Sequence, residues 1–154
     1  PFECVVSRVL HIFVAGDRGA PMQSVQSVEA VAGTGLVGDR YAVARNRRAW
    51  NCELSLIEIE NIRAFVETTG FELPADAPRR NIVTEGVRLN ELRGRRFYIG
   101  AVLVEGIERC EPCVKFKKRT HPEALRFFRG KGGLCTRILA GGTLAVGDAI
   151  RVER

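Results

Sequence analysis

Apolar residues in this chain fall in short runs punctuated by glycine. Along residues 4–14, Val5, Val6, Val9, Leu10, Ile12 and Phe13 crowd together, β-branched and aromatic side chains that favour a strand. Asp17-Arg18-Gly19 then supplies a turn. Residues 25–31 alternate apolar and polar positions imperfectly and predict one further strand. Gly33-Thr34-Gly35 and Gly38 mark a loop of close backbone approach or positive φ. Residues 52–57 read as a strand running into a helix over 58–68, where Ile59, Ile62, Phe65 and Val66 recur at helical spacing and Gly70 stands at the C-cap. Residues 74–78 are a surface connection and 81–84 a short strand. Two more strands, 97–99 and 101–106, are broken by Gly100. Over 120–128 the spacing of Thr120 and Glu123 predicts a capping box and a short helix, with Pro122 in its first turn and Gly130 at its end. Residues 134–139, 143–146 and 149–152 are closing strands separated by Gly141-Gly142 and Gly147-Asp148.

Many short strands, glycine turns and two helices predict a mainly β fold, a β-barrel with two short peripheral helices. No βαβ alternation and no internal repeat is visible. A length of 154 residues fits one domain spanning 1–154. Apolar residues make up 45% and charged residues 27%, the balance of a globular chain able to bury a core. No apolar run approaches the ~20 residues needed to span a bilayer. Residues 1–13 lack a basic region followed by an apolar one, so no leader is expected there.

Five cysteines (Cys4, Cys52, Cys110, Cys113, Cys135) in a chain of this size call for no disulfide framework, and the expected compartment is the reducing cytoplasm. A net charge of +6 favours anionic ligands of some kind.

The most conspicuous chemistry lies in Arg109-Cys110-Glu111-Pro112-Cys113-Val114-Lys115. Two cysteines sit among Arg109, Lys115, Lys117, Lys118 and Arg119, and positive charge favours the thiolate, the nucleophilic and metal-binding form. Buried bystander cysteines are the plain alternative. A zinc site would want four ligands, whereas Cys4, Cys52, Cys135, His11 and His121 stand isolated in sequence. A thiol redox pair would want its CxxC between a strand and a helix of a βαβ sheet. A sulfur-carrying or molybdenum-binding cysteine is a further reading. Arg79-Arg80-Asn81, opening an apolar strand, could grip a phosphate or a planar polar ligand, or be a solvated strand entry. Asp39-Arg40 after Gly38 could form an ion pair in a turn or face a ligand. Neither GxGxxG nor a phosphate-binding P-loop is present. Cys135 and His11 read as core residues, His121 as part of a helix N-terminus, and Phe65, Phe71, Phe127 and Phe128 as core or helix-face residues. With aromatics at only 7%, a nucleic-acid-binding barrel is disfavoured, though the charge permits it.

In order along the chain, Gly38-Asp39-Arg40-Tyr41, the strand and helix around Leu56 to Glu60, Arg80-Asn81-Ile82-Val83-Thr84-Glu85-Gly86-Val87, Cys110 to Cys113, Gly132-Gly133 and Gly141-Gly142-Thr143 to Gly147-Asp148 resemble the small stand-alone MOSC domains (molybdenum cofactor sulfurase C-terminal). The resemblance spans nearly the whole chain. It implies a β-barrel with one functional cysteine late in the sequence, at the position of Cys113. It implies that this cysteine ligates molybdenum in a pterin cofactor or carries sulfur as a persulfide for metal–sulfur cofactor assembly. Asp39, Arg40, Arg79, Arg80, Asn81 and Lys115 would then hold the molybdopterin, with no pyridoxal phosphate site. A cysteine desulfurase or an electron-transfer protein would be the partner, with no membrane and no nucleic acid involved. As an enzyme the chain would be a sulfur transferase or a component of a molybdenum-dependent reductase. Tyr41 departs from the family, where many relatives carry His after Gly-Asp-Arg.

Overall fold

A computed structural model describes residues 7–43, 52–112, 116, 118 and 120–152. Its elements are β1 (Arg8–Val14), β2 (Gln23–Val25), β3 (Ser27–Val31), β4 (Gly35–Leu36), β5 (Leu54–Glu58), α1 (Ile59–Thr69), β6 (Ile82–Glu85), β7 (Arg96–Ile99), β8 (Val102–Arg109), α2 (Ala124–Phe127), β9 (Leu134–Ala140), β10 (Gly142–Ala145) and β11 (Ile150–Val152). Short 3-10 turns occupy Arg40–Ala42 and Leu89–Leu92. An eight-stranded sheet runs in the order β11-β7-β8-β9-β5-β6-β1-β2, and a second sheet in the order β10-β3-β4.

The fold is mainly β, as the sequence predicts, but the sheets do not close into a barrel. The eight-stranded sheet curls until its β11 end meets the start of β1. That contact is limited to an Arg8–Ala149 bridge and a few backbone bonds, among them Ile150 N–H to Ser7 O at 2.9 Å. The expected absence of βαβ connectivity is corrected too. β5 and β6 pair in parallel, joined through α1, while every other pairing between the strands named above is antiparallel.

That parallel pair is covered on both faces, as such strands usually are. On one face Leu54, Leu56 and Ile82 join a core with Val104, Leu134 and Ile138. On the other, Ile57 and Val83 pack with Ile62 and Phe65 of α1 and with Phe116 and Phe128. The helix closes on Gly70, whose φ of 74° is the left-handed cap its sequence predicts.

Three local expectations fail. The strand predicted over 25–31 is two strands. Gln26 breaks the run, β2 pairs with β1 and β3 joins the small sheet. The capping box at Thr120 does not form. The Thr120 hydroxyl donates back to Phe116 O at 2.8 Å, the Glu123 N–H is taken by His121 Nδ1, and α2 begins only at Ala124. Phe71 is exposed and stacks on His121 instead of entering the core.

Candidate functional site

Where β8 and β9 pair, Gly106 faces Thr136 but Glu108 faces Cys135, so one residue is extra on β8. Such a bulge resets which side chains share a face. Beyond it, Glu108, Cys135 and Ser55 form a cross-strand row over β8, β9 and β5. Cys110, two residues after Glu108, follows on the same side, anchored by its N–H to Gly133 O at 2.8 Å. Gly132 and Gly133 make this approach possible. A Cβ at Gly132 would strike the Cys110 carbonyl, and one at Gly133, whose φ is 115°, would strike that of Leu56. Cys52, just ahead of β5, completes the group.

Cys52, Cys110 and Cys135 are therefore neighbours in space although scattered in sequence. Their sulfurs lie within 4.8 Å of one another and all three residues are buried. Cys52 and Cys135 are joined as a disulfide, and the Cys110 sulfur lies 3.0 Å from that of Cys135. A chain expected to need no disulfide framework thus carries one disulfide among its described residues. Among the described residues these three are the one cluster of three or more metal-ligating side chains.

The cysteines line one wall of a cleft of about 780 Å³. Its other walls bring in Arg18, Arg40, Arg79, Arg80, Arg93 and Arg109 against Glu108 and Glu111. Six guanidiniums against two carboxylates make an anion-seeking cavity.

The sequence-predicted residues distribute unequally around it. Arg40, Arg79 and Arg80 line the cleft. Asp39 lies behind the wall, where its Oδ1 accepts from Arg40 Nη1 at 3.0 Å and from the Ala15 N–H at 3.1 Å. Asp39 and Arg40 thus form an ion pair in a turn, with the arginine lining the cavity. Tyr41, beneath the Arg40 guanidinium at 4.3 Å, also lines the cleft. Arg40 Nη2 reaches Arg79 O at 3.0 Å and Arg79 Nη1 reaches Ala20 O at 2.6 Å. Arg79 holds a φ of 60°, a conformation uncommon outside glycine that gathers at functional sites. Arg80 is tethered through Nε to Gly132 O at 2.8 Å.

Asn81 is not among the cleft residues. Its Oδ1 accepts from the Ser55 N–H and hydroxyl, and its Nδ2 donates to Phe13 O at 3.1 Å, so its amide is spent joining β5 to β1. Cys113 and Lys115 lie outside the described residues. His11 is half-buried against Phe13. The sequence reading missed Cys52 and Cys135 as site residues. No local motif marks them, and only strand pairing gathers them.

The structure is a mainly β fold whose curled sheet carries an arginine-walled, cysteine-bearing cleft. Residues 39–151 match the family model "MOSC domain", and the chain belongs to that family. No curated protein matches it at a significant level. Among solved structures it is similar to the YUAD protein from Bacillus subtilis, at 16% identity and a TM-score of 0.79 over 96% of this chain and 95% of that one. It is also similar to YiiM from Geobacillus stearothermophilus (17% identity, TM-score 0.75, 96% of this chain and 75% of that one). YiiM from Escherichia coli is a further match, at 17% identity and a TM-score of 0.71 over 96% of this chain and 70% of that one. At these identities the likeness is one of fold.

Proposed function

We propose that the cleft binds a molybdenum-pterin cofactor and that Cys113 is the thiolate ligand to its metal. The observation that carries this reading is the cavity of about 780 Å³ walled by six arginines. Its charge suits a phosphorylated, planar, polar ligand. Arg79 and Arg80 line the cleft and would hold the phosphate. Arg40, fixed by Asp39, contributes charge without needing to move, and Lys115 follows Cys113 in sequence. Cys110, three residues before Cys113, lines the same cleft, which supports a thiolate-favouring setting. When bound, the cofactor would supply a redox-active molybdenum, and the electrons would come from a separate electron-transfer protein.

The cysteine content of the cleft supports a second reading, in which Cys113 carries sulfur. Its thiolate would attack the terminal sulfur of a persulfide on a cysteine desulfurase, forming a persulfide on Cys113 and releasing the donor's thiolate. The chain would then act as a sulfur transferase in the cytoplasm.

Metal analysis by mass spectrometry, on wild type and Cys113→Ala made in a cofactor-competent host, separates the two. Near-stoichiometric molybdenum that disappears in the variant is the expected result. Molybdenum in neither, with persulfide labelling at Cys113, would transfer the assignment to sulfur carriage. Molybdenum retained in Cys113→Ala would overturn the ligand assignment.

A further inference from the structure

We propose that Cys52, Cys110 and Cys135 form a second, independent site: a trithiolate centre for a soft monovalent cation, with Cu(I) as the best-fitting ion. Its three sulfur donors are not among the residues assigned to molybdenum, although it shares the cleft arginines, and it stands whether or not that assignment holds.

The donor set is all sulfur. Thiolates select soft ions, and neither carboxylate nor imidazole belongs to the cluster. The sulfurs already lie within 4.8 Å of one another. A three-coordinate ion with metal–sulfur bonds of ~2.3 Å needs them about 4 Å apart, so small side-chain adjustments suffice. Three rigid supports hold the donors. Cys135 lies in β9 between two paired strands, Cys110 is tied to Gly133, and Cys52 directly precedes β5. Zinc in a closed protein site takes four ligands, one more than this cluster supplies.

Charge completes the argument. Three thiolates around a monovalent cation leave two negative charges at the floor of a cleft whose walls carry Arg40, Arg79 and Arg80. That field lowers the cost of deprotonating buried thiols, which metal binding requires.

The disulfide and the metal exclude each other. The Cys52–Cys135 bond must first accept two electrons and two protons from a dithiol, which leaves as its own disulfide. The cation then displaces the protons of the three thiols.

The full-length chain carrying Cys113→Ala, reduced anaerobically, is titrated with Cu(I) against a chromophoric Cu(I) chelator. The expected result is one equivalent bound, with a thiolate-to-copper absorption band, and protection of Cys52, Cys110 and Cys135 from alkylation as mapped by mass spectrometry. Cys110→Ser and Cys52→Ser, checked for folding by circular dichroism, should each weaken binding by more than the ~10–100-fold that loss of an outer-shell partner costs. The disulfide form should bind no copper until reduced. Affinity unchanged in Cys110→Ser, alkylation of the three cysteines despite copper, or preference for Zn(II) over Cu(I) would each overturn the proposal. Because Cys113 is absent throughout, failure here leaves the molybdenum reading untouched.

Discussion

At the scale of single residues, the Asp39-Arg40 pair has the clearest energetic consequence. Both side chains are essentially out of solvent, at 0% and 5% exposure, and Asp39 also satisfies the Ala15 N–H. Removing one partner strands a buried charge, which costs about 3–5 kcal/mol. Asp39→Ala should therefore lose stability of that order in chemical denaturation, and Asp39→Asn less, since its amide oxygen still accepts from Ala15. A loss below about 1 kcal/mol for the alanine variant would mean that water reaches Arg40 freely. The arginines were legible in sequence because Arg79, Arg80 and Arg40 lie beside turn or strand-entry signals. The role of Asn81 was not. An amide at a strand start looks the same whether it faces a ligand or, as here, Ser55 and Phe13. The cysteine cluster was invisible for a different reason. Its members are separated by 58 and 25 positions along the chain, and only the pairing of β8, β9 and β5 brings them together.

Between residue and molecule, local pattern specified elements well where it was continuous. The helix α1 with its Gly70 cap and the buried runs of β5 and β6 follow from apolar spacing and glycine placement. Patterns failed where tertiary pairing decided the outcome. Gln26 separates β2 from β3 because each finds a partner in a different sheet, and nothing local announces that. Thr120 leaves its predicted cap because Phe116 O lies within reach of its hydroxyl. The glycines beside the cleft carry a sharper expectation. Gly133 combines a positive φ with close approach to the Leu56 carbonyl, so an alanine is strained twice. Gly133→Ala should cost more than about 1 kcal/mol. It should also shift β9 against β5, which hydrogen exchange at Thr136 and Ile138 would register as lost protection. The exposed, positive-φ Gly19, with nothing near its Cβ position, provides the control in which only the backbone term is felt. Equal losses at the two sites would show that contact with Leu56 contributes nothing.

For the molecule as a whole, the pH dependence of stability follows from two carboxylates with opposite shifts. Glu85 at the end of β6 receives hydrogen bonds from Arg8 on β1 and Arg63 on α1, and these hold its pKa below the ordinary 4.5. A depressed folded pKa contributes stability above 4.5 that is lost as pH falls through the folded value. Glu58, joining β5 to α1, is pushed above 4.5, chiefly by burial and against the Leu89 backbone hydrogen bond that lowers it. The sign is reversed: the native state binds this proton more tightly, so stability declines as pH rises from 4.5 through the raised value. Glu58→Gln should thus gain on the wild type progressively as pH rises from 4.5 toward neutrality. Glu85→Gln should fall below wild type at neutral pH and converge with it at low pH. Melting temperatures of the three proteins between pH 3 and 8 test both signs in one series. A Glu58→Gln advantage that is flat across the range would place that carboxylate in solvent. A Glu85→Gln deficit that persists at low pH would show that the Arg8 and Arg63 contacts act through packing and not through charge. The two sites flank the same parallel pair, β5 and β6, so the pH response reports on the element that joins the two halves of the core.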